Sequence, residues 1–117
     1  MKENAVFFKE CHLAGREYHE ADEVWDQLKV GTELRLERDT DNRYDPEAVA
    51  VMFDEKDSLM PMSYLLGYIP RGENKDIAHF LDMGWDECFQ CRISKINPEE
   101  HYEEQIRLII KIVQKQK

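Results

Sequence analysis

Thr32-Glu33-Leu34-Arg35-Leu36-Glu37-Arg38 alternates without a break, with Leu34 and Leu36 on one side and Glu33, Arg35 and Glu37 on the other. Successive side chains of an extended chain point to opposite faces, so this is a strand with one face in the core and one in water. Just downstream, Ala48-Val49-Ala50-Val51-Met52-Phe53 is apolar throughout, which suits a strand covered on both faces inside a barrel. A polar segment, Asp39–Pro46, turns the chain between them. Working outward, Val6–Ala14, Tyr64–Ile69 (stopped by Pro70), Glu87–Ile96 and Gln105–Val113 read as four more strands. In the last, Ile106, Leu108, Ile110 and Ile112 make one continuous face. Asn74–Met83 predicts a helix, because Ile77, Ala78, Phe80 and Leu81 form a stripe and Gly84 is a good stop. Glu20–Leu28 is a marginal helix, with Asp22 as cap and Val24, Trp25 and Leu28 on one face. Six short strands with one clear and one marginal short helix predict a mainly β (α+β) fold. A closed antiparallel barrel removes exposed sheet edges, so an OB-like six-stranded barrel is the first choice and an SH3-like barrel the second.

The chain has 117 residues, which predicts a single domain over 1–117 with its core at about 8–113. It carries 16 basic and 25 acidic residues, a net charge of −9. A protein that coats nucleic acid by neutralising many phosphates runs basic, so that class is excluded, whereas a site that grips few phosphates is not. No signal-peptide pattern opens the chain, and no apolar run reaches the roughly 18 residues of a transmembrane helix. Three cysteines without a secretion signal point to reduced thiols and a cytoplasmic location.

No phosphate-binding loop, nucleophile elbow or HExxH helix is present. His12, His19, His79 and His101 share no ligand spacing. Cys88-Phe89-Gln90-Cys91 has CxxC spacing, but on a strand Cys91 lies with Phe89 and Ile93 on the apolar face and Cys88 lies with Gln90 and Arg92 on the polar one. Structural zinc takes such pairs from a turn, where the sulfurs converge. The sequence is therefore read as having no metal, no cofactor and no catalytic residue: a binding domain and not an enzyme.

The densest polar and aromatic cluster runs from Arg38 to Val49 and contains Asn42, Arg43, Tyr44, Asp45 and Pro46. Its plain reading is structural. Asp45-Pro46 looks like an N-cap with proline at the first helical position, Asn42 suits a left-handed turn, and Tyr44 suits half-buried packing.

A larger pattern gives the segment a second reading. Leu13-Ala14-Gly15 with Tyr18 after it, and then Gly31 to Arg38, lead into Asn42-Arg43-Tyr44-Asp45-Pro46-Glu47-Ala48-Val49-Ala50-Val51. Leu66-Gly67-Tyr68-Ile69-Pro70-Arg71 follows, and then the helix Ile77–Leu81 with Gly84. Together these resemble the HIRAN domain, in a stand-alone, prokaryotic-type form. The resemblance implies an OB-like barrel and a site for the 3′ end of single-stranded DNA. Family members fused to Swi/Snf-type remodelling ATPases work at stalled replication forks, which implies a role in DNA repair or fork processing beside a helicase or other DNA-processing partner. The family's DNA-contacting residues carry over as Asn42, Tyr44 and Asp45, and a tyrosine after the first strand carries over as Tyr18. Tyr68 stands where the best-known eukaryotic member has histidine, and Glu17 stands where that member has a basic residue.

The chemistry of these residue types agrees. A tyrosine face stacks a base. Asn42 offers donors and an acceptor, and Asp45 accepts from a free 3′-hydroxyl but repels a terminal phosphate. Arg71, Arg43 and Lys75 are the candidate phosphate contacts, Lys75 lying where a helix N-terminus also favours an anion. Two other readings stand beside this one. An acidic protein-interaction module with a decayed DNA pocket would use Glu17, Glu20, Asp22, Glu23 and Asp26. A metal-dependent hydrolase of phosphate esters or anhydrides would use clustered carboxylates.

Overall fold

The computed structural model describes residues 4–115. The six strands fall where the apolar patterning puts them: β1 Ala5–His12, β2 Glu33–Arg38, β3 Val49–Asp54, β4 Ser63–Tyr68, β5 Phe89–Ile96 and β6 Ile106–Val113. The helix α1, Lys75–Asp82, lies between β4 and β5, and short 3₁₀ turns fill other connections. All paired strands are antiparallel, in the order β1-β6-β5-β2-β3-β4.

The sheet closes on itself just past the end of β1. Ala14 N donates to Tyr68 O at 2.8 Å, and Tyr68 N donates to Ala14 O at 2.9 Å. That bridge joins the two outer strands and makes the sheet an OB-like barrel. It depends on Gly67, where a Cβ would stand 2.5 Å from Ala14 O. Only glycine lets the two backbones approach so closely.

The barrel interior is filled by the inward residues of the alternating strands. Leu34, Val49, Val51, Leu66, Ile93, Ile106, Leu108 and Ile110 are all buried, and Ile77 and Ala78 of α1 join the same core. Burying one such aliphatic side chain contributes about 1.5–3 kcal/mol, so this shared core is what holds the loops at its ends in place.

Several local expectations are corrected. The marginal helix is a 3₁₀ segment, Ala21–Gln27, kinked at Val24; Val24 and Leu28 still face the core. Asp22 does not cap it. Its Oδ1 instead accepts from Arg16 Nη2 at 2.6 Å. Arg16 is only 3% exposed, and its guanidinium lies 4.6 Å from the Trp25 ring and 5.0 Å from the Tyr102 ring, which replaces water with two aromatic faces. Cys88 lies in a 3₁₀ turn, Asp86–Cys88, ahead of β5, so the strand begins at Phe89 rather than Glu87. Cys91 is buried as the alternation predicts.

Candidate nucleic-acid interface

The polar run after β2 does not wander over the surface. Asn42 Oδ1 accepts from the backbone N–H of both Tyr44 and Asp45, at 2.9 and 3.0 Å. Asn42 does this without a left-handed backbone, since no described residue other than glycine has positive φ. The expected helical turn at Asp45-Pro46 is a single turn instead. Ala48 N donates back to Asp45 O at 3.2 Å, Pro46 takes the second turn position that its fixed φ favours, and Asp45 Oδ1 accepts from Glu47 N at 2.9 Å. Arg38 then staples the returning chain: Nη1 donates to Ala48 O at 2.7 Å, Nη2 to Pro46 O at 3.0 Å and Nε to Asp82 Oδ1 of α1 at 2.8 Å.

Two connections tie this loop to the barrel seam. Asp39 Oδ2 accepts from the Tyr68 hydroxyl at 2.7 Å and from Asn42 Nδ2 at 3.4 Å. Asp45 Oδ2 accepts from Asn74 Nδ2 at 2.8 Å, and Asn74 is 1% exposed. Asn74 stands at the N-cap position of α1, yet its side chain makes no capping bond because it is committed to Asp45. Partial burial, and then the bond to Asp39, push the Tyr68 hydroxyl up to about 12, so it stays a donor. The His19 ring meets the Tyr68 ring edge-on at 5.4 Å. Tyr18, beside it, is held in the turn that Arg16 pins, and Gly15 N donates to Glu103 Oε1 at 2.8 Å.

Asn42, Asp45 and Tyr68 are thus brought together through Asp39 and Asn74. Tyr44 projects from the loop with 86% of its surface exposed, and Tyr18 projects with 78% exposed. Tyr44 is therefore not the half-buried packing residue of the structural reading. Arg43, Arg71 and Lys75 are exposed, and none takes part in an ion pair among the described residues. Asp39, Asn74, Arg38 and Arg16 had no assigned role in the sequence reading. Their partners are distant in the chain, and only Asn74, as a polar residue ahead of a helix, carried any local signal.

The acidic edge has less free charge than its residues suggest. Asp22 is paired with Arg16, and Glu20 Oε1 accepts from Leu65 N at 2.8 Å, while Glu17, Glu23 and Asp26 remain exposed. Among the described residues, no three His, Cys, Asp or Glu side chains converge as metal ligands would. A groove of about 750 Å³ lies elsewhere, along β2.

The HIRAN domain model matches residues 6–113, nearly the whole chain. The chain belongs to the HIRAN domain family. HIRAN domains are generally DNA-binding modules, not catalytic units. A Fanconi-associated nuclease 1 homolog from Oryza sativa subsp. japonica is 34% identical over 79 residues. That match takes in 68% of this HIRAN chain but only 7% of the nuclease homolog, so the likeness is to one small part of a much longer protein. A crystal structure of a protein from Lactobacillus plantarum superposes with a TM-score of 0.73 at 22% identity, covering 97% of this chain and 100% of that one, a likeness of fold. No helix among the described residues is long and apolar enough to cross a membrane.

Proposed function

We propose that this HIRAN domain binds the 3′-hydroxyl end of single-stranded DNA at the loop between β2 and β3, in DNA repair or replication-fork processing. The observation that carries the reading is the loop's construction. Hydrogen bonds with Asn42, Asp45 and Arg38 fix the backbone, Asn74 holds the Asp45 carboxylate, and the Tyr44 ring is left almost fully exposed. Holding a ring rigidly in water has no packing benefit, but it removes the ordering cost of stacking a base, which is worth about 1–3 kcal/mol. Asp45 already accepts one bond on each oxygen, and a carboxylate has room for about four, so each oxygen retains capacity for a 3′-hydroxyl donor. A 3′-phosphate in the same place brings like charge and no donor. Tyr18 and Tyr68 flank the site, and Arg43, Arg71 and Lys75 supply the phosphate contacts. A helicase or other DNA-processing protein is the natural partner for such an end-reader.

The test is fluorescence anisotropy with one labelled oligonucleotide ending in a 3′-hydroxyl or a 3′-phosphate. A bond to a charged group is worth about 1.5–3 kcal/mol, so the hydroxyl end is expected to bind about tenfold tighter or better. Equal affinity for the two ends removes the end-reading mechanism. No binding at low salt favours the acidic protein-interaction module instead.

A further inference from the structure

The barrel is closed between β1 and β4, but not along the whole of β2. Pairing between β2 and β5 is confined to Glu33 with Arg92 and Leu34 with Cys91. β2 continues to Arg38, and from Arg35 onward it is paired only with β3. In an antiparallel ladder, alternate residues direct their backbone groups to opposite sides. Asp39 N bonds to Ala48 O across the β3 side, and Ile93 N bonds to Thr32 O across the β5 side. The odd residues therefore serve β3, and the N–H and C=O of Leu36 and Arg38 point toward β5, where no strand meets them.

A groove of about 750 Å³ occupies that gap, with β2 on one wall and Phe89, Gln90 and Val113 on the other. Of its apolar residues, Leu34 is buried, and Leu36, Leu81 and Phe89 are half-buried at the margin of the core. Its charge is acidic, with five carboxylates against three cations. Arg35 is held by Asp54 and Glu37, at 2.8 and 3.0 Å, and Arg38 is held by Asp82. Asp86 and Glu87, at the β5 end, take part in no ion pair among the described residues. A polyanion is repelled here.

We propose that the free edge of β2 docks an extended, basic peptide segment of a partner protein, which adds to the barrel as a further strand. Main-chain bonds to Leu36 and Arg38 supply the register. An apolar side chain of the peptide covers Leu36, Leu81 and Phe89, and a Lys or Arg meets Asp86 and Glu87. The site shares only Arg38 with the Tyr44 loop and does not rest on the DNA reading.

The probe is a library of peptides of about eight residues with Val, Ile, Leu or Phe at odd positions and Lys or Arg at even ones, screened against the intact chain. Captured peptides are expected to slow amide hydrogen exchange at Leu36 and Arg38. They should weaken about tenfold against the double variant Asp86→Lys, Glu87→Lys, whose exposed side chains make no described ion pair. N-methylation of the peptide's pairing amides should cost a further several-fold. Three results overturn the proposal: no library peptide binding tighter than about 1 mM, binding that leaves the Leu36 and Arg38 amides unchanged, or a dimer by sedimentation in which the β2 edge of a second copy occupies the groove.

Discussion

Two loops join neighbouring strands of the same barrel, and they are built in opposite ways. The loop from β2 to β3 is polar and tied at nearly every turn, to α1 through Asn74 and Asp82 and to β4 through Tyr68. The loop from β3 to β4 is fastened mainly at its base, where Glu55 N donates to Met62 O and Met62 N to Glu55 Oε1. Its apolar residues Leu59, Met60 and Met62 stand out in water. Exposure is therefore not the sign of a site, since both loops expose large side chains. The difference is that Tyr44 sits between residues whose partners lie far away in the chain, Asp39 with Tyr68 and Asp45 with Asn74, whereas the distant ties of the other loop, Gln27 to Glu55 and Glu33 to Lys56, hold only its start, well before Leu59.

The contrast breaks most severely at Gly67. Gly67→Ala drives a methyl group into Ala14 O, opens the seam beside the tied loop and leaves the far end of the β3–β4 hairpin alone. The expected cost is about 3 kcal/mol by chemical denaturation. Wild-type stability in that variant would show that the barrel does not depend on the Ala14–Tyr68 bridge.

Asn42→Ala comes next. It strips the acceptor from two backbone N–H groups, with an expected cost of about 2 kcal/mol, while Met60→Ala should stay within about 0.5 kcal/mol. Equal costs at the two positions would erase the distinction between the loops.

Tyr44→Ala separates binding from folding. DNA affinity is expected to fall about tenfold, for hydroxyl and phosphate ends alike, because stacking does not read the terminal group. Melting should not move. Leu59→Ala should change neither.

A separate effect is on pH dependence, and it concerns the core that carries both loops. Burial raises the Cys11 thiol from 9.0 to about 11 and raises Cys91 further. The unfolded chain releases these protons first, so the stability they support is full below pH 9.0 and is lost as pH rises through about 11. Melting temperature measured across that window should decline, and Cys11→Ala should flatten the decline.

Much of the fold was legible because strand burial repeats every second residue. Leu34 and Leu36, the all-apolar Ala48–Phe53 and the Ile106–Ile112 face all report their own environment. The 3₁₀ character of Ala21–Gln27 was not legible, since Val24, Trp25 and Leu28 satisfy an α-helical stripe equally well. Arg16 explains that miss: its bond to Asp22 replaces the expected cap with a tertiary contact. In the loop, Asn42, Tyr44 and Asp45 could be named from their pattern. Asp39 and Asn74, which hold them in place, could not, because a polar residue's partner 29 positions away along the chain leaves no trace in the local sequence.

The central claim is that the tied loop, and not the untied one, meets the DNA. Titrating the ¹⁵N-labelled chain with a short oligothymidylate ending in a 3′-hydroxyl tests it residue by residue. The amide shifts should concentrate at Tyr44, Asp45 and Glu47, with Tyr68 and Asn74 following through their bonds to Asp39 and Asp45, and residues 55–62 should stay silent. Shifts confined to 55–62 or to the β2 groove, with Tyr44 and Asp45 unmoved, would contradict the account.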